Sequence, residues 1–394
     1  MLAIRGARVV TPGRDLGVTT VVLDGDRIAA VGGNAVPGGE TIDATGLTLL
    51  PGFIDIHSHG RGGADFCDLT DEAFEKIGRG KLADGVAGFL ATGLTRPEEE
   101  LAELCRCVER YKVRQSAPGT GHQALSTCLG VHLEGPFFNA DMAGAQNPAY
   151  LKKPDAAMVK RLDAITHVVK VSLAPELEGA EACIRELVAA GIVCSLGHSA
   201  ADYDTFERAR QAGATHLTHF CNAMMPVHHL RPSMVTGGLL ADDVFAEIIT
   251  DGVHLSDPMI RLIAKAKGPD RVMVITDAMC AAGEPDGIYS LGGLRVKVER
   301  GKATLADVPY DPKAVVSNVA GSVALYPQCF KRYVKATGLP LEEAVKATSY
   351  NQCVSLGIPD RGEIAPGKIA DLVLVDQELN PVVTIVNGEV AWKR

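Results

Sequence analysis

The chain carries no surplus of basic residues. Its 39 Lys and Arg stand against 48 Asp and Glu, a formal charge of −9 at neutral pH, which excludes a broad nucleic-acid-binding surface. An anionic ligand would need a local positive set. Long apolar runs are missing too. Uncharged stretches such as Gln115 to Leu133 are filled with Ser, Thr, Gly, Gln and His, and such a segment would not sit in hydrocarbon, so no membrane contact is expected. The opening residues MLAIRGARVV hold neither an apolar stretch of signal-peptide length nor a small-residue cleavage site. The ten cysteines form no CxxC pair, and Asn-x-Ser/Thr does not occur. Reduced thiols and a cytoplasmic location are the expectation. A nucleotide-binding glycine signature is also lacking, since GRGGAD at 60–65 matches neither GxGxxG nor the P-loop.

What is present is ordinary globular composition, 46% hydrophobic and 22% charged over 394 residues. Both ends are rich in short β runs broken at turn signals such as Asp24-Gly25, Pro366-Gly367 and Asn387-Gly388. They predict one β-sandwich domain built from 1–50 and 356–394. In the middle, 51–355, eight apolar runs recur: Phe53–Ile56, Val86–Ala91, Leu129–Leu133, Val168–Leu173, Ile192–Leu196, His216–Phe220, Phe245–Ile249 and Val272–Ile275. Helical periods lie between them. In PEEELAELCRCVERYK, Leu101, Leu104, Cys105 and Val108 share one face, and AEACIRELVAAG stops at Gly191. This alternation predicts a (β/α)8 barrel, an α/β fold, with a doubly wound open sheet as the competitor. Residues 283–325 interrupt the alternation, and YSLGGLRVKVERGKATL reads as a β-hairpin walling the site.

Polar residues fall at the ends of these runs. FIDIHSHG puts His57 and His59 two apart, on one face of a strand. VHLEGPF ends at Glu134, CSLGHS at His198, THLTHFCNAM at His219 and VITDAM at Asp277. Singly, each has a structural reading: HxH pairs are commonly incidental, a Glu before Gly-Pro can turn the chain, and an Asp at a strand end is often an N-cap. His122, His132, His167 and His216 are assigned to packing or surface. In a barrel, however, all strand C-termini face one side. Four imidazoles and two carboxylates would then converge, a costly cluster to bury without a metal. Nitrogen and carboxylate ligands suit Zn, Fe, Co or Mn, one or two ions per chain, with Zn preferred.

On these motifs the sequence resembles the amidohydrolase superfamily, and within it the N-acetylglucosamine-6-phosphate deacetylases. PGFIDIHSHG, HLEGPF, LGHS, THFCNAM, DGVHL, TDAM and the closing IADLVLVD stand in the family's order across nearly the whole chain. The resemblance implies a distorted barrel with a flanking β-sandwich and a homodimer. It implies Glu134, His198 and His219 as ligands of one metal. Family members differ at the first strand, some holding a single metal; His57 and His59 make a second metal plausible here, with Glu134 bridging. Asp277 matches the catalytic carboxylate and joins the metal set. Asn222, the Ala223 backbone, Arg231 and His254 match sugar-phosphate contacts, Arg231 reaching the neighbouring subunit's site. Val319, Ala320 and Gly321 match a substrate-contacting loop. One departure stands out. Where many members read Gly-x-His-Asn-Pro, this chain has Gly144-Ala145-Gln146-Asn147-Pro148, so an uncharged amide replaces a carbonyl-polarising His.

The implied reaction is hydrolysis of N-acetyl-D-glucosamine 6-phosphate to acetate and D-glucosamine 6-phosphate. Metal lowers the pKa of water from ~15.7 towards ~7, and Asp277 acts as general base and then acid. Competing readings are another amidohydrolase, acting on N-acetylgalactosamine 6-phosphate or a different N-acyl substrate, and a catalytically silent scaffold. The scaffold reading is opposed by retention of all six candidate ligands.

Overall fold

The computed structural model describes residues 1–32, 39–115, 124–309, 311 and 317–394; His122 lies outside the described residues. The eight apolar runs fold as parallel strands. They are β1 (Phe53–Asp55), β2 (Val86–Gly93), β3 (Thr127–Glu134), β4 (Val168–Leu173), β5 (Val193–Leu196), β6 (His216–Leu217), β7 (Phe245–Ile249) and β8 (Val272–Ile275). They pair in chain order. The ring closes beyond β1 and β8, where Ser58 and Ala278 form a parallel bridge and Asp277 N donates to His57 O at 2.9 Å.

A helix follows each strand: Asp71–Ala83, Glu98–Gln115, Ala156–Asp163, Ala180–Ala189, Tyr203–Gln211, Met234–Leu240, Asp257–Lys267 and Tyr326–Thr337. Their starts follow from sequence. Thr70, Asp155 and Asp202 accept from the backbone N–H of Ala73, Met158 and Thr205, pairing donors that a first turn leaves open. The strands alternate as barrel geometry requires. Val131, Leu133, Val171, Leu173, Leu217 and Ile248 point outward into one large core shared with the helices. Leu90, Phe245 and Met273 point inward, into a separate apolar cluster. No helix among the described residues is long and apolar enough to cross a membrane.

Two expectations change in detail. β6 stops at Leu217 rather than Phe220, because the chain turns sharply where His219 and Cys221 take left-handed φ of 31° and 78°. The hairpin expected at 289–305 is a three-stranded antiparallel meander, Gly287–Leu291, Leu294–Glu299 and Lys302–Leu305. Its Leu291, Val296 and Val298 pack with Leu94 and Met279 beside the barrel mouth.

Strands from both termini form one eight-stranded sheet: a path of seven, Glu389–Lys393, Pro381–Val386, Leu372–Val375, Thr48–Pro51, Leu2–Thr11, Arg14–Asp24 and Arg27–Val31, with Glu40–Asp43 paired off it to Leu2–Thr11. The path curls back on itself. Ile28 N donates to Lys368 O and Ala370 N to Asp26 O, so one edge meets the segment leading into Leu372–Val375. The fold encloses a second core around Ile4, Val21, Leu49, Leu372 and Ile385. All ten cysteines are free.

Candidate active site

The C-terminal ends of the parallel strands bring the expected residues together. His57 and His59 follow β1, Glu134 ends β3, His198 and His219 follow β5 and β6, and Asp277 follows β8. Glu134 is the hub. Its Oε1 lies 3.3 Å from His57 Nε2, 3.3 Å from His198 Nε2 and 3.2 Å from His219 Nε2, and its Oε2 lies 3.2 Å from His59 Nε2. Asp277 Oδ1 stands 3.3 Å from His57 Nε2 and 3.1 Å from His59 Nε2. All six are buried.

Local backbone aims three of them. His198, His219 and Asp277 have φ of 48°, 31° and 50°, left-handed values that cost a non-glycine residue about 1–3 kcal/mol each and tend to gather at functional sites. The surrounding backbone holds them there: Asn139 N donates to His198 O, Asn222 N to His219 O, and Ser322 N to Asp277 O at 2.7 Å. The far ring nitrogens are anchored as well. His198 Nδ1 donates to Met142 O at 2.8 Å and His59 Nδ1 to Thr92 O at 3.3 Å, which turns each Nε2 to the cluster.

The set fits divalent metal. Two triads of ligand atoms, His57/His59/Glu134 and Glu134/His198/His219, each lie within 4.8 Å of one another and share Glu134. Buried His57 Nε2 makes no hydrogen bond, so coordination would satisfy an atom that the protein leaves unpaired. Burial opposes charge on His57 and His59, yet Glu134 and Asp277 raise His57 to about 9 and His59 well above the ordinary imidazole value. The imidazoles in turn overcome burial to hold Glu134 well below the ordinary carboxylate range. A divalent cation at the same place would meet the same demand of the two carboxylates for positive charge.

A cavity of about 270 Å³ opens above the cluster. Its lining includes Ala145, Gln146, Asn222, Ala223, His254, Val319 and Gly321, along with His59, Glu134, His198, His219 and Asp277. His57 and Ala320 lie behind it, fully buried. His254 Nδ1 is engaged by Asp251 Oδ2 at 2.8 Å, and Asn222 Nδ2 donates to His219 O. Arg231 is not part of its own chain's cavity lining; it is exposed beside His228. Gln146 differs from a free polarising donor. Its Nε2 donates to Glu134 Oε2 at 2.6 Å and its carbonyl accepts from Thr95 N at 2.8 Å, so the amide is committed to holding the hub.

Of the histidines assigned to packing or surface, His167 is exposed and His216 buried. His132 is buried against His57, with ring centroids 4.6 Å apart, and bonds Ser172 Oγ at 2.8 Å. Two charged residues beneath the cluster were not anticipated, Lys170 on β4 and Glu247 on β7. The available signal was a lone charge inside each apolar run, VVKVSL and FAEII.

A closed (β/α)8 barrel with such a cluster at its strand ends is the arrangement of an amidohydrolase, and the Amidohydrolase family profile matches residues 48–391. The chain is 34% identical over 394 residues to N-acetylglucosamine-6-phosphate deacetylase of Lysinibacillus sphaericus, covering 99% of this chain and 97% of that one. Among solved structures it resembles the Thermotoga maritima enzyme of that name, with TM-score 0.86, 34% identity and full coverage of both chains. It also resembles a Mycobacterium smegmatis variant in complex with N-acetyl-D-glucosamine 6-phosphate, with TM-score 0.89, 33% identity and 99% of each chain covered. The chain therefore belongs to the N-acetylglucosamine-6-phosphate deacetylases of the amidohydrolase family.

Proposed function

We propose that this chain hydrolyses the acetamide of N-acetyl-D-glucosamine 6-phosphate, releasing acetate and D-glucosamine 6-phosphate, with 51–355 as the catalytic domain and 1–50 plus 356–394 as the flanking one. One observation carries the reading: a single cavity joins the two ligand triads and Asp277 to Asn222, Ala223, His254, Val319 and Gly321. The substrate named for the Mycobacterium smegmatis complex supports it.

His57, His59, Glu134, His198, His219 and Asp277 would hold a divalent metal, zinc being the best match to the donors, and it would supply Lewis acidity towards water and the acetamide carbonyl. Asp277 is placed for proton transfer. Its carboxylate side chain is 10% exposed and lines the cavity, so it accepts a proton as the water oxygen bonds to the carbonyl carbon. It returns that proton to the sugar nitrogen as the C–N bond breaks. Gln146 keeps Glu134 oriented throughout. His254, its Nδ1 tied to Asp251, presents Nε2 to the phosphate end together with Asn222 and the Ala223 backbone.

Arg231 serves, in this reading, the site of a neighbouring subunit. It shares a loop with Val227 and Leu230, which are 53% and 77% exposed. A homodimer would cover those side chains and bring a guanidinium to the phosphate. The free thiols are in keeping with a cytoplasmic location. The direct test is acetate release from the gluco and galacto 6-phosphates in parallel, with metal analysis of the same sample. Turnover of the gluco substrate is expected. Turnover of the galacto epimer alone, or of neither with metal bound, would overturn the substrate assignment.

A further inference from the structure

Below the cluster lies a charged pair that the proposed reaction does not use. Lys170 and Glu247 are both fully buried, and Lys170 Nζ donates to Glu247 Oε1. The other carboxylate oxygen, Oε2, is 3.3 Å from His57 Nδ1. His57 is thus held from behind by Glu247 while its Nε2 faces Glu134 and Asp277. The other three imidazoles are held differently. His59 and His198 use backbone carbonyls, and His219 Nδ1 has no partner. A carboxylate behind an imidazole fixes the proton on the near nitrogen, leaves the far lone pair free and strengthens it as a donor. As a stabiliser alone such a pair gains little, because desolvation offsets its attraction.

We infer that the Lys170–Glu247 pair is a positioning device for His57 that governs loading of a second divalent metal at the His57/His59 half of the centre. The Glu134/His198/His219 half loads without it. This rests on reading the six residues as metal ligands. The selectivity follows from the contacts: the Glu247 link to the His219 segment is its backbone carbonyl, which accepts from Phe220 N at 2.7 Å and survives any side-chain change.

The test counts zinc per chain and measures each dissociation constant by chelator competition, in the full-length protein and two double variants. Lys170→Met with Glu247→Leu removes both charges together, so neither is left buried and unpaired. Lys170→Met with Glu247→Gln keeps an acceptor for His57 Nδ1. Two zincs are expected in the unaltered protein. The Met/Leu variant should hold one, at nearly unaltered affinity, and the Met/Gln variant two, the second ~10–100-fold weaker. Should the Met/Leu variant fail to fold, the weakened second zinc of the Met/Gln variant carries the test. Two zincs of unchanged affinity in every folded variant would overturn the inference and leave the ligand reading intact. A single zinc in the unaltered protein would overturn the inference together with the two-metal reading.

Discussion

At the scale of single residues, Asp277 and Gln146 separate chemistry from support. Asp277→Asn keeps the side-chain shape but removes the proton acceptor, so kcat should fall by at least ~10²-fold with the fold retained. An unchanged kcat would remove Asp277 from the reaction. Gln146→Ala takes a donor from Glu134 and leaves Thr95 N without its buried acceptor. An unpaired buried polar group costs about 1–3 kcal/mol, so Tm should drop, and metal affinity with it. A variant with unchanged Tm and metal affinity would show that Gln146 does not hold the hub. The six clustered residues were legible because each ends an apolar run, where a barrel gathers its strand tips. Lys170 and Glu247 were not, because a lone charge within a strand does not say which partner neutralises it. The commitment of Gln146 to Glu134 was equally hidden, since residues twelve apart in sequence meet only through the loop between them.

At the scale of elements, the strand tips must approach closely for the ligands to meet. Gly197 shows how closely: a Cβ there would stand 2.7 Å from Thr218 Cβ. Thr218 cannot yield easily, since its Oγ1 bonds both Ser172 Oγ and Ser195 Oγ. Gly197→Ala should therefore push β5 from β6, costing about 1–3 kcal/mol by overpacking and weakening metal at His198 and His219. Gly191→Ala is the control. Its φ of 81° makes the substitution strained, but nothing lies within 4 Å of the added carbon, so stability should fall without loss of metal affinity. Equal metal affinity in both variants would reject the spacing argument. The strands themselves were readable from apolar run length, and the Ala180–Ala189 helix from its period and its stop at Gly191. The short β6 was not, because the apolar run continues past the left-handed turn that ends it. The third strand of the meander was likewise read as part of a hairpin.

At the scale of the whole molecule, the proposed role of Arg231 makes the site depend on a second chain. If the six clustered residues hold metal, the assembled site binds it far better than the unfolded chain does, so its removal should lower Tm. The linkage is about 4 kcal/mol when free metal exceeds Kd a thousandfold. The role of Arg231 asks for a test that distinguishes its own site from a neighbour's. Arg231→Ala and Asp277→Asn should each be inactive below the KM for the phosphorylated substrate. When the two are co-folded in equal amounts, random pairing makes half the dimers mixed. In each mixed dimer one site joins the intact Asp277 of the Arg231→Ala chain to the intact Arg231 of its Asp277→Asn partner. The opposite site has neither. Half the dimers with one of two sites restored gives about a quarter of the unaltered activity, a consequence of two-fold symmetry alone. If Arg231 acted on its own chain's site, every mixed dimer would remain as inactive as its parents. Recovery should also be lost on dilution below the dimer dissociation constant, which ties the regained activity to the interface rather than to either variant.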